Sequence, residues 1–241
     1  MTIAFISDLH ISEAQSEIGE QFINFLGHQA SKYKALYILG DLFEYWLGDD
    51  DINPYLNNIK NALLNYTKTG IPTYFIHGNR DFLIGERFSN ETGIKILPDP
   101  TVIKINNEDI LISHGDLFCT DDIVYQETRK LTRDPKWQNL MLRKSLEERK
   151  TFAFKAREKS KEYMKDLADN ITDVNQSEIT YTFKEFNLKT IIHGHTHRPA
   201  THNTRINNID YKRIVLGDWY DQGSCLEWND SGPNLIKLYR R

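Results

Sequence analysis

The stretch Ile3-Ala-Phe-Ile-Ser-Asp-Leu-His10 opens on four apolar residues and closes on a carboxylate and an imidazole. A short unbroken apolar run reads as a strand buried on both faces. Asp8 and His10 stand two residues apart, on the same side of the chain as it leaves the sheet. The construction recurs. Ala35–Gly40 runs into Asp41, Pro72–Gly78 into Asn79, Asp109–Gly115 carries His114, and Thr190–Gly194 runs into His195-Thr-His197, with Ile214–Gly217 as a further strand. Helical patterns at Glu17–Lys32 and Pro54–Thr69 separate the first strands, so the order up to about Asp81 is alternating and the class is α/β.

From Asp121 to about Glu185 strand-like runs vanish and helix formers dominate. Apolar residues there recur at helical spacing, in Trp137, Leu140 and Met141 and again in Met164, Leu167, Ala168 and Ile171. The pattern predicts a helical insertion, 122–186, in a core built from 1–121 and 187–241. Trp137, Phe152 and Phe154 are expected to be buried. The net charge of −4 hides a segregation, since Arg129–Lys165 holds 13 Lys and Arg against 5 Asp and Glu.

A chain of 241 residues with 39% hydrophobic content suits one large core with an insertion and excludes a disordered polypeptide. Cys119 and Cys225 are too few for a disulfide framework. No run approaches the roughly 18 apolar residues of a spanning helix, and the start reads as a strand rather than a signal peptide. A reduced, cytoplasmic setting is expected.

Asp8, His10, Asp41, Asn79, His114, His195 and His197 are candidate metal ligands, each at a strand end, where a sheet fixes the backbone and a loop turns side chains into a common crevice. Carboxylate, imidazole and carbonyl donors without cysteine argue against a structural zinc site. Mn²⁺ is the natural candidate, with Mg²⁺, Fe²⁺ or Zn²⁺ as alternatives.

Asp8-Leu-His10, Gly40-Asp41, Gly78-Asn79, His114 and Gly194-His-Thr-His197 follow one another in the order DxH, GD, GN, H, GHxH. This order resembles the signature of the calcineurin-like metallophosphoesterase superfamily, over the whole chain. The resemblance implies a two-sheet β-sandwich flanked by helices in four layers, with a helical lid insertion. It also implies two ions, one held by Asp8, His10 and His197, the other by Asn79, His114 and His195, with Asp41 bridging. Two divalent ions less two carboxylates and a bridging hydroxide leave a charge of about +1, which would draw in an anion. Metal-assisted phosphoester hydrolysis is the expected reaction class.

Arg80 stands where many members of the superfamily have histidine. An arginine stays protonated and stabilises charge without donating a proton, which suits a leaving group that needs none, such as a phosphate monoester. A pyrophosphate is therefore expected. Longer phrases, among them Gly40-Asp-Leu-Phe-Glu-Tyr-Trp46, His77-Gly-Asn-Arg-Asp-Phe82, Cys119-Thr-Asp-Asp122, Asp173-Val-Asn-Gln176 and His193-Gly-His-Thr-His-Arg-Pro199, are similar to the branch that acts on UDP-2,3-diacylglucosamine in lipid A synthesis.

What this likeness implies is water attack on the α-phosphate, with Asp41, Asn79, Arg80 and His195 as catalytic residues and Asn79, Arg80, His195, Asp122 and Ser160 against the substrate. Tyr125, close to Asp122 in the chain, is a further candidate contact. Two Mn²⁺ ions, a lipid-linked nucleotide substrate and peripheral association with the cytoplasmic face of the inner membrane are implied as well. No nucleic-acid or protein partner is expected. Asp122 also reads as a helix N-cap and Ser160 as a solvent-facing helix residue. Met164 and Leu167 depart from the Asn and Lys common at their positions. Asp49-Asp-Asp51 reads as a solvated loop and helix cap, and Asp218 has no assigned role. The rival reading is another dinuclear metallophosphoesterase, acting on a soluble nucleotide.

Overall fold

A computed structural model describes residues 2–165, 171–220 and 223–238. Its first sheet holds four mutually parallel strands, β1 (Ile3–Ile6), β2 (Ala35–Leu39), β3 (Thr73–Ile76) and β4 (Lys95–Leu97). The second holds β5 (Thr101–Ile105), β6 (Glu108–Ser113), β7 (Thr190–His193), β8 (Ala200–Ile206) and β9 (Ile209–Val215). An antiparallel hairpin, β10 (Gly223–Asn229) and β11 (Gly232–Leu238), joins the first sheet beside β1. The strand orders are β11-β10-β1-β2-β3-β4 and β5-β6-β7-β9-β8. In the second sheet β6, β7 and β9 run parallel, edged by antiparallel β5 and β8.

Alternation along each central strand feeds two different cores. Phe5, Leu39, Ile76, Ile110, Ile112, Ile192 and Ile214 meet between the two sheets. Ala4, Ile6, Leu36, Ile38 and Phe75 face the other way, against α1 (Ser16–Asn24), α2 (Pro54–Thr67) and α3 (Glu86–Thr92). Leu111 and Ile191 pack outward on α7 (Gln176–Glu185) through Ile179 and Phe183. The result is four layers, helix, sheet, sheet and helix, with no solvent face left to the central strands, which is why they read as unbroken apolar runs.

The expected insertion is helical in its described part, with α4 (Ile123–Thr132), α5 (Pro135–Leu142) and α6 (Leu146–Lys165) preceding α7. α7 differs from the other three, because it forms the outer layer over the second sheet and closes the crossover from β6 to β7. Leu167 and Ala168 lie outside the described residues, as do the contacts expected at Met164 and Leu167.

Some expectations are corrected. Phe152 and Phe154 are 45% and 62% exposed, and Leu140 is exposed too, so these residues do not pack on the core as expected. The pattern over Glu17–Lys32 is α-helical only to Asn24 and continues as a wider π turn, Phe25–Gln29, and a 3₁₀ turn, Ala30–Lys32. The strand expected at Ile214–Gly217 starts five residues earlier and ends at Val215; its first half, Ile209-Asp-Tyr-Lys-Arg213, carries too much polar surface to read as buried. Asn53, not the acidic run, caps α2, while Asp49 accepts from Phe88 N at 2.9 Å in the first turn of α3.

Ile192 is fully buried between the sheets. Ile192→Ala is expected to cost about 2–5 kcal/mol, the range for deleting a buried Ile side chain. Urea unfolding should show a lower midpoint at unchanged slope, and a loss below about 1 kcal/mol would contradict close packing between the sheets.

Candidate metal centre

The parallel strands of both sheets end at one edge of the sandwich, and their C-terminal loops are stitched sideways to each other. Asp8 N bonds to Gly40 O at 3.1 Å, His10 N to Asp41 O at 2.9 Å, and Gly194 N to His114 O at 2.8 Å. Asp81, fully buried, accepts from Gly78 N at 2.8 Å and Leu42 N at 2.7 Å, tying the β3 loop to the β2 loop. Gly40 has φ +85° and no room for a side chain against the backbone of Gly78 and the His114 ring. Five of the candidate ligands, Asp8, His10, Asp41, His195 and His197, also have φ between 52° and 69°. Non-glycine residues rarely adopt that region, and strain of about 1–3 kcal/mol each persists only where the surroundings over-determine it, typically at functional sites.

All seven candidate ligands come together. Ligand atoms of Asp8, His10 and His197 lie within 4.8 Å of one another, as do those of Asp8, Asp41 and His114. Asn79 Oδ1 lies 2.9 Å from His114 Nε2 and 3.0 Å from His195 Nδ1. Asp41 Oδ2 stands 3.8 Å from His10 Nε2 and 3.7 Å from His114 Nε2, between the two groups. His10 and His197 aim their Nε2 atoms at each other, 3.2 Å apart.

The outward nitrogens of three of these histidines are engaged as well. His114 Nδ1 donates to Leu39 O at 2.9 Å, His10 Nδ1 lies 3.1 Å from Glu44, and His197 Nδ1 lies 3.3 Å from Asp218. A carbonyl or carboxylate behind the ring fixes the tautomer and leaves Nε2 as the ligand, the usual support of metal-binding histidine. Glu44 and Asp218 went unassigned in the sequence, Asp218 because it lies in no ligand phrase and Glu44 because nothing in its phrase points to His10, the ring it supports. A carboxylate one turn of chain beyond a ligand, as in Asp41-Leu-Phe-Glu44, is the signal that was available.

The electrostatics match a cation site. Burial alone would lower the pKa of His114, but Asp41, Asp116 and Asp8 outweigh it and push it up to about 9. His197 is likewise pushed up to about 10, Asp218 and Asp8 overcoming burial. Asp8 is held below the usual carboxylate range, its contact with His197 outweighing burial. His195 goes the other way, down to about 4, through burial and the neighbouring His114. A buried set of carboxylates that draws protons onto its imidazoles has the donor types and the charge to take divalent ions instead.

The remaining candidates surround this cluster. Arg80 makes no ion pair among the described residues, and its Nε is buried without a partner. Tyr125 donates its hydroxyl to Asp116 at 2.7 Å, with its ring 5.7 Å from that of His195. Asp122 caps α4 by accepting from Tyr125 N at 2.9 Å and also takes the Tyr163 hydroxyl at 3.1 Å. Ser160 is exposed on α6 and is not drawn into the cluster.

Residues 1–199 match the Calcineurin-like phosphoesterase family, and the chain belongs to it. Such a family implies divalent metal ions, for which these residues fit. The chain is 47% identical to the UDP-2,3-diacylglucosamine hydrolase of Stenotrophomonas maltophilia (strain R551-3), covering 100% of both proteins. It is 46% identical to the protein of the same name from Aliivibrio fischeri (strain MJ11), covering 98% of each. The solved structure of a novel archaeal phosphodiesterase superposes with a TM-score of 0.50 at 13% identity, covering 99% of this chain and 100% of that one, a likeness of fold.

Two predictions follow from this geometry. Glu44→Gln and Asp218→Asn should each weaken metal binding about 10–100-fold in chelator competition, as expected for outer partners of ligating histidines; unchanged affinity would remove them from that role. At pH 7 the metal-free chain carries His114 and His197 protonated, since both pKa values are raised, to about 9 and about 10. Metal uptake must expel those protons, so a pH-stat titration should record about two protons released per chain, with affinity climbing until the pH passes these values. Uptake without proton release would show the imidazoles already neutral.

Proposed function

We propose that this chain hydrolyses the pyrophosphate bond of UDP-2,3-diacylglucosamine, by water attack on the α-phosphate, giving UMP and 2,3-diacylglucosamine 1-phosphate. The observation that carries the reading is Arg80, which makes no ion pair among the described residues, beside the seven candidate ligands, on a chain alike over its full length to proteins named UDP-2,3-diacylglucosamine hydrolase.

In this reading Asp8, His10 and His197 hold one ion, Asn79, His114 and His195 a second, and Asp41 joins them; both ions are taken as Mn²⁺. When bound, such a pair supplies the positive charge that polarises a phosphoryl group and makes water nucleophilic at neutral pH. The chain's own groups do the rest. Arg80, which makes no ion pair among the described residues, can bind the phosphoryl oxygens and stabilise charge as it develops. It has no proton to give, and UMP or a sugar phosphate needs none to leave. Asn79 and His195 orient the phosphate. Tyr125 holds Asp116 and the start of α4 against this edge, and Asp122 anchors α4 while its second oxygen remains for the glucosamine.

We read α4–α6 as the lid, with α7 counted in the core layer. Ile123, Val124, Phe152 and Phe154 stay exposed there within a strongly basic segment, which suits acyl chains and an anionic lipid surface better than a soluble nucleotide. No described helix is long and apolar enough to cross a membrane, so contact with the inner membrane would be peripheral. Ser160, exposed on α6, is assigned to the acylated sugar once substrate lies under the lid.

Mn²⁺-loaded protein should release UMP from UDP-2,3-diacylglucosamine, and in ¹⁸O-water the label should appear in UMP. Turnover of soluble nucleotide pyrophosphates alone would overturn the lipid assignment in favour of the soluble-substrate reading, and label in the sugar phosphate would overturn attack at the α-phosphate. Arg80→Ala should reduce kcat by about 10²–10³, the scale for losing one charge-stabilising donor. Asp41→Ala should abolish both metal retention and hydrolysis.

A further inference from the structure

The helix α4 reaches the edge where the candidate ligands converge, yet none of its ten residues is buried. Ile123, Val124 and Leu131 are all exposed, so apolar packing does not hold it there. Three polar side chains do. Tyr125, Arg129 and Arg133 stand at intervals of four residues, on one face of the helix and at its C-terminal cap, and all three reach the same oxygen, Asp116 Oδ2. The Tyr125 hydroxyl donates to it at 2.7 Å, Arg129 Nε lies 3.0 Å away and Arg133 Nη2 3.5 Å away. Asp116 is fully buried, and a buried carboxylate stripped of such partners is strongly destabilising. The seat of α4 is thus fixed in direction as well as in place.

Each arginine continues past Asp116 to one of the ligand loops. Arg129 Nη2 donates to Asp99 Oδ2 at 3.1 Å, and Asp99 Oδ1 accepts from His114 N at 3.2 Å and from the Ser113 hydroxyl at 2.7 Å. Arg133 Nη2 donates to Gly78 O at 2.9 Å and lies 3.3 Å from His77 O, with its guanidinium carbon 5.9 Å from the centre of the Phe82 ring. Gly78 directly precedes Asn79 on the loop after β3, in the first sheet; Asp116 follows His114 on the loop after β6, in the second. One nitrogen of Arg133 therefore spans the two sheets where Asn79 Oδ1 and His114 Nε2 face each other at 2.9 Å.

We propose that Arg133 is a positioning residue for Asn79: it holds the Gly78 carbonyl beside Asp116 and so sets where Asn79 stands relative to His114. The assignment rests on the two-ion reading given above. Asn79 needs such a brace more than the carboxylate ligands do. An amide oxygen carries no net charge, so what it gives an ion depends on where it is held and not on long-range attraction. Among the described residues no contact joins Arg133 to Asp8, His10 or His197, so its influence falls on one ion and spares the other. The helix α4 then has two tasks. Its first turn presents Asp122 and Tyr125, and its last turn braces the loop that carries Asn79 and Arg80.

Calorimetric titration of the metal-free full chain with Mn²⁺ reads the assignment. The wild type should show two classes of binding, and Asn79→Ala identifies the class to which Asn79 belongs. Arg133→Met, which removes the donors but keeps an unbranched side chain, should weaken that class about 10–100-fold, the scale for outer partners of metal ligands, and leave the other within about twofold. Arg133→Lys, which keeps the charge without the planar fork, should recover part of the loss. Thermal unfolding of the metal-free variants separates positioning from general stability. Weakening of both classes in step with a lowered Tm, or two unchanged classes, overturns the proposal. Should Arg133→Met not fold, Arg133→Lys carries the test: a loss confined to the Asn79 class supports the assignment, and no loss or an equal loss in both overturns it. A wild type with a single class refutes the two-ion reading and this assignment with it, whereas two classes that the Arg133 variants change alike refute this assignment alone.

Discussion

One carboxylate oxygen, Asp41 Oδ2, stands 3.8 Å from His10 Nε2 and 3.7 Å from His114 Nε2, and much of the fold serves to keep it there. His10 comes from the first sheet and His114 from the second. For a single oxygen to reach both, the loop after β2 must lie at the junction of the two sheets. Asp81 holds that loop from behind, through the amides of Leu42 and Gly78, and its own pKa is raised to about 7 by burial and by Asp41. Two buried carboxylates this close repel unless positive charge sits between or beside them. Ion binding and the tight turn after β2 are thus parts of the same requirement. Without the cation the loop is held against its own electrostatics.

That requirement explains why the ligand residues carry the backbone strain. Left-handed φ values at Asp8, His10, Asp41, His195 and His197 turn each side chain inward within two to four residues of a strand end. A longer, relaxed loop would reach the same point but leave the ligand free to move. Short strained turns braced by lateral backbone bonds give the stiffer site, at a cost that the inter-sheet core and the flanking helices absorb. The same backbone conformation appears elsewhere for a different reason: Asn106-Asn107 and Asn207-Asn208 take positive φ as two-residue hairpin turns, far from any ligand role.

The cluster of candidate ligands and the central strands were legible in the sequence because both leave short-range marks. A strand buried on both faces is an unbroken apolar run, and a ligand at its end is a polar residue at a fixed offset. The edge strands β8 and β11, and β10 between β11 and β1, were not individually legible; Ala200–Ile206, for one, is polar almost throughout and owes its structure to pairing with β9. Asp218 and Glu44 escaped for a related reason, as each acts on a ligand that is distant in sequence or across a turn. Phe152 and Phe154 read as core because aromatic residues usually are. Nothing local marks an apolar face that a helix leaves in solvent.

The helix α6 is tied to the candidate metal cluster by a chain of charges. Arg157 on α6 pairs with Glu44 Oε1, and Glu44 Oε2 lies 3.1 Å from His10 Nδ1. Glu44 is almost wholly buried, so it feels both partners at low effective dielectric, and its pKa is lowered by His10 and by the nearby arginines in spite of burial. A second tie, Arg149 of α6 to Asp50 and the Leu47 carbonyl, fixes the base of the same helix on the loop that follows Glu44. With that base fixed, displacement of α6 would act chiefly on the Arg157 contact. Losing it would leave Glu44 a stronger acceptor for His10, making the imidazole a more basic ligand. The exposed apolar face of α6 and the imidazole of His10 are therefore mechanically connected, and the position of the helix is felt in the basicity of that candidate ligand.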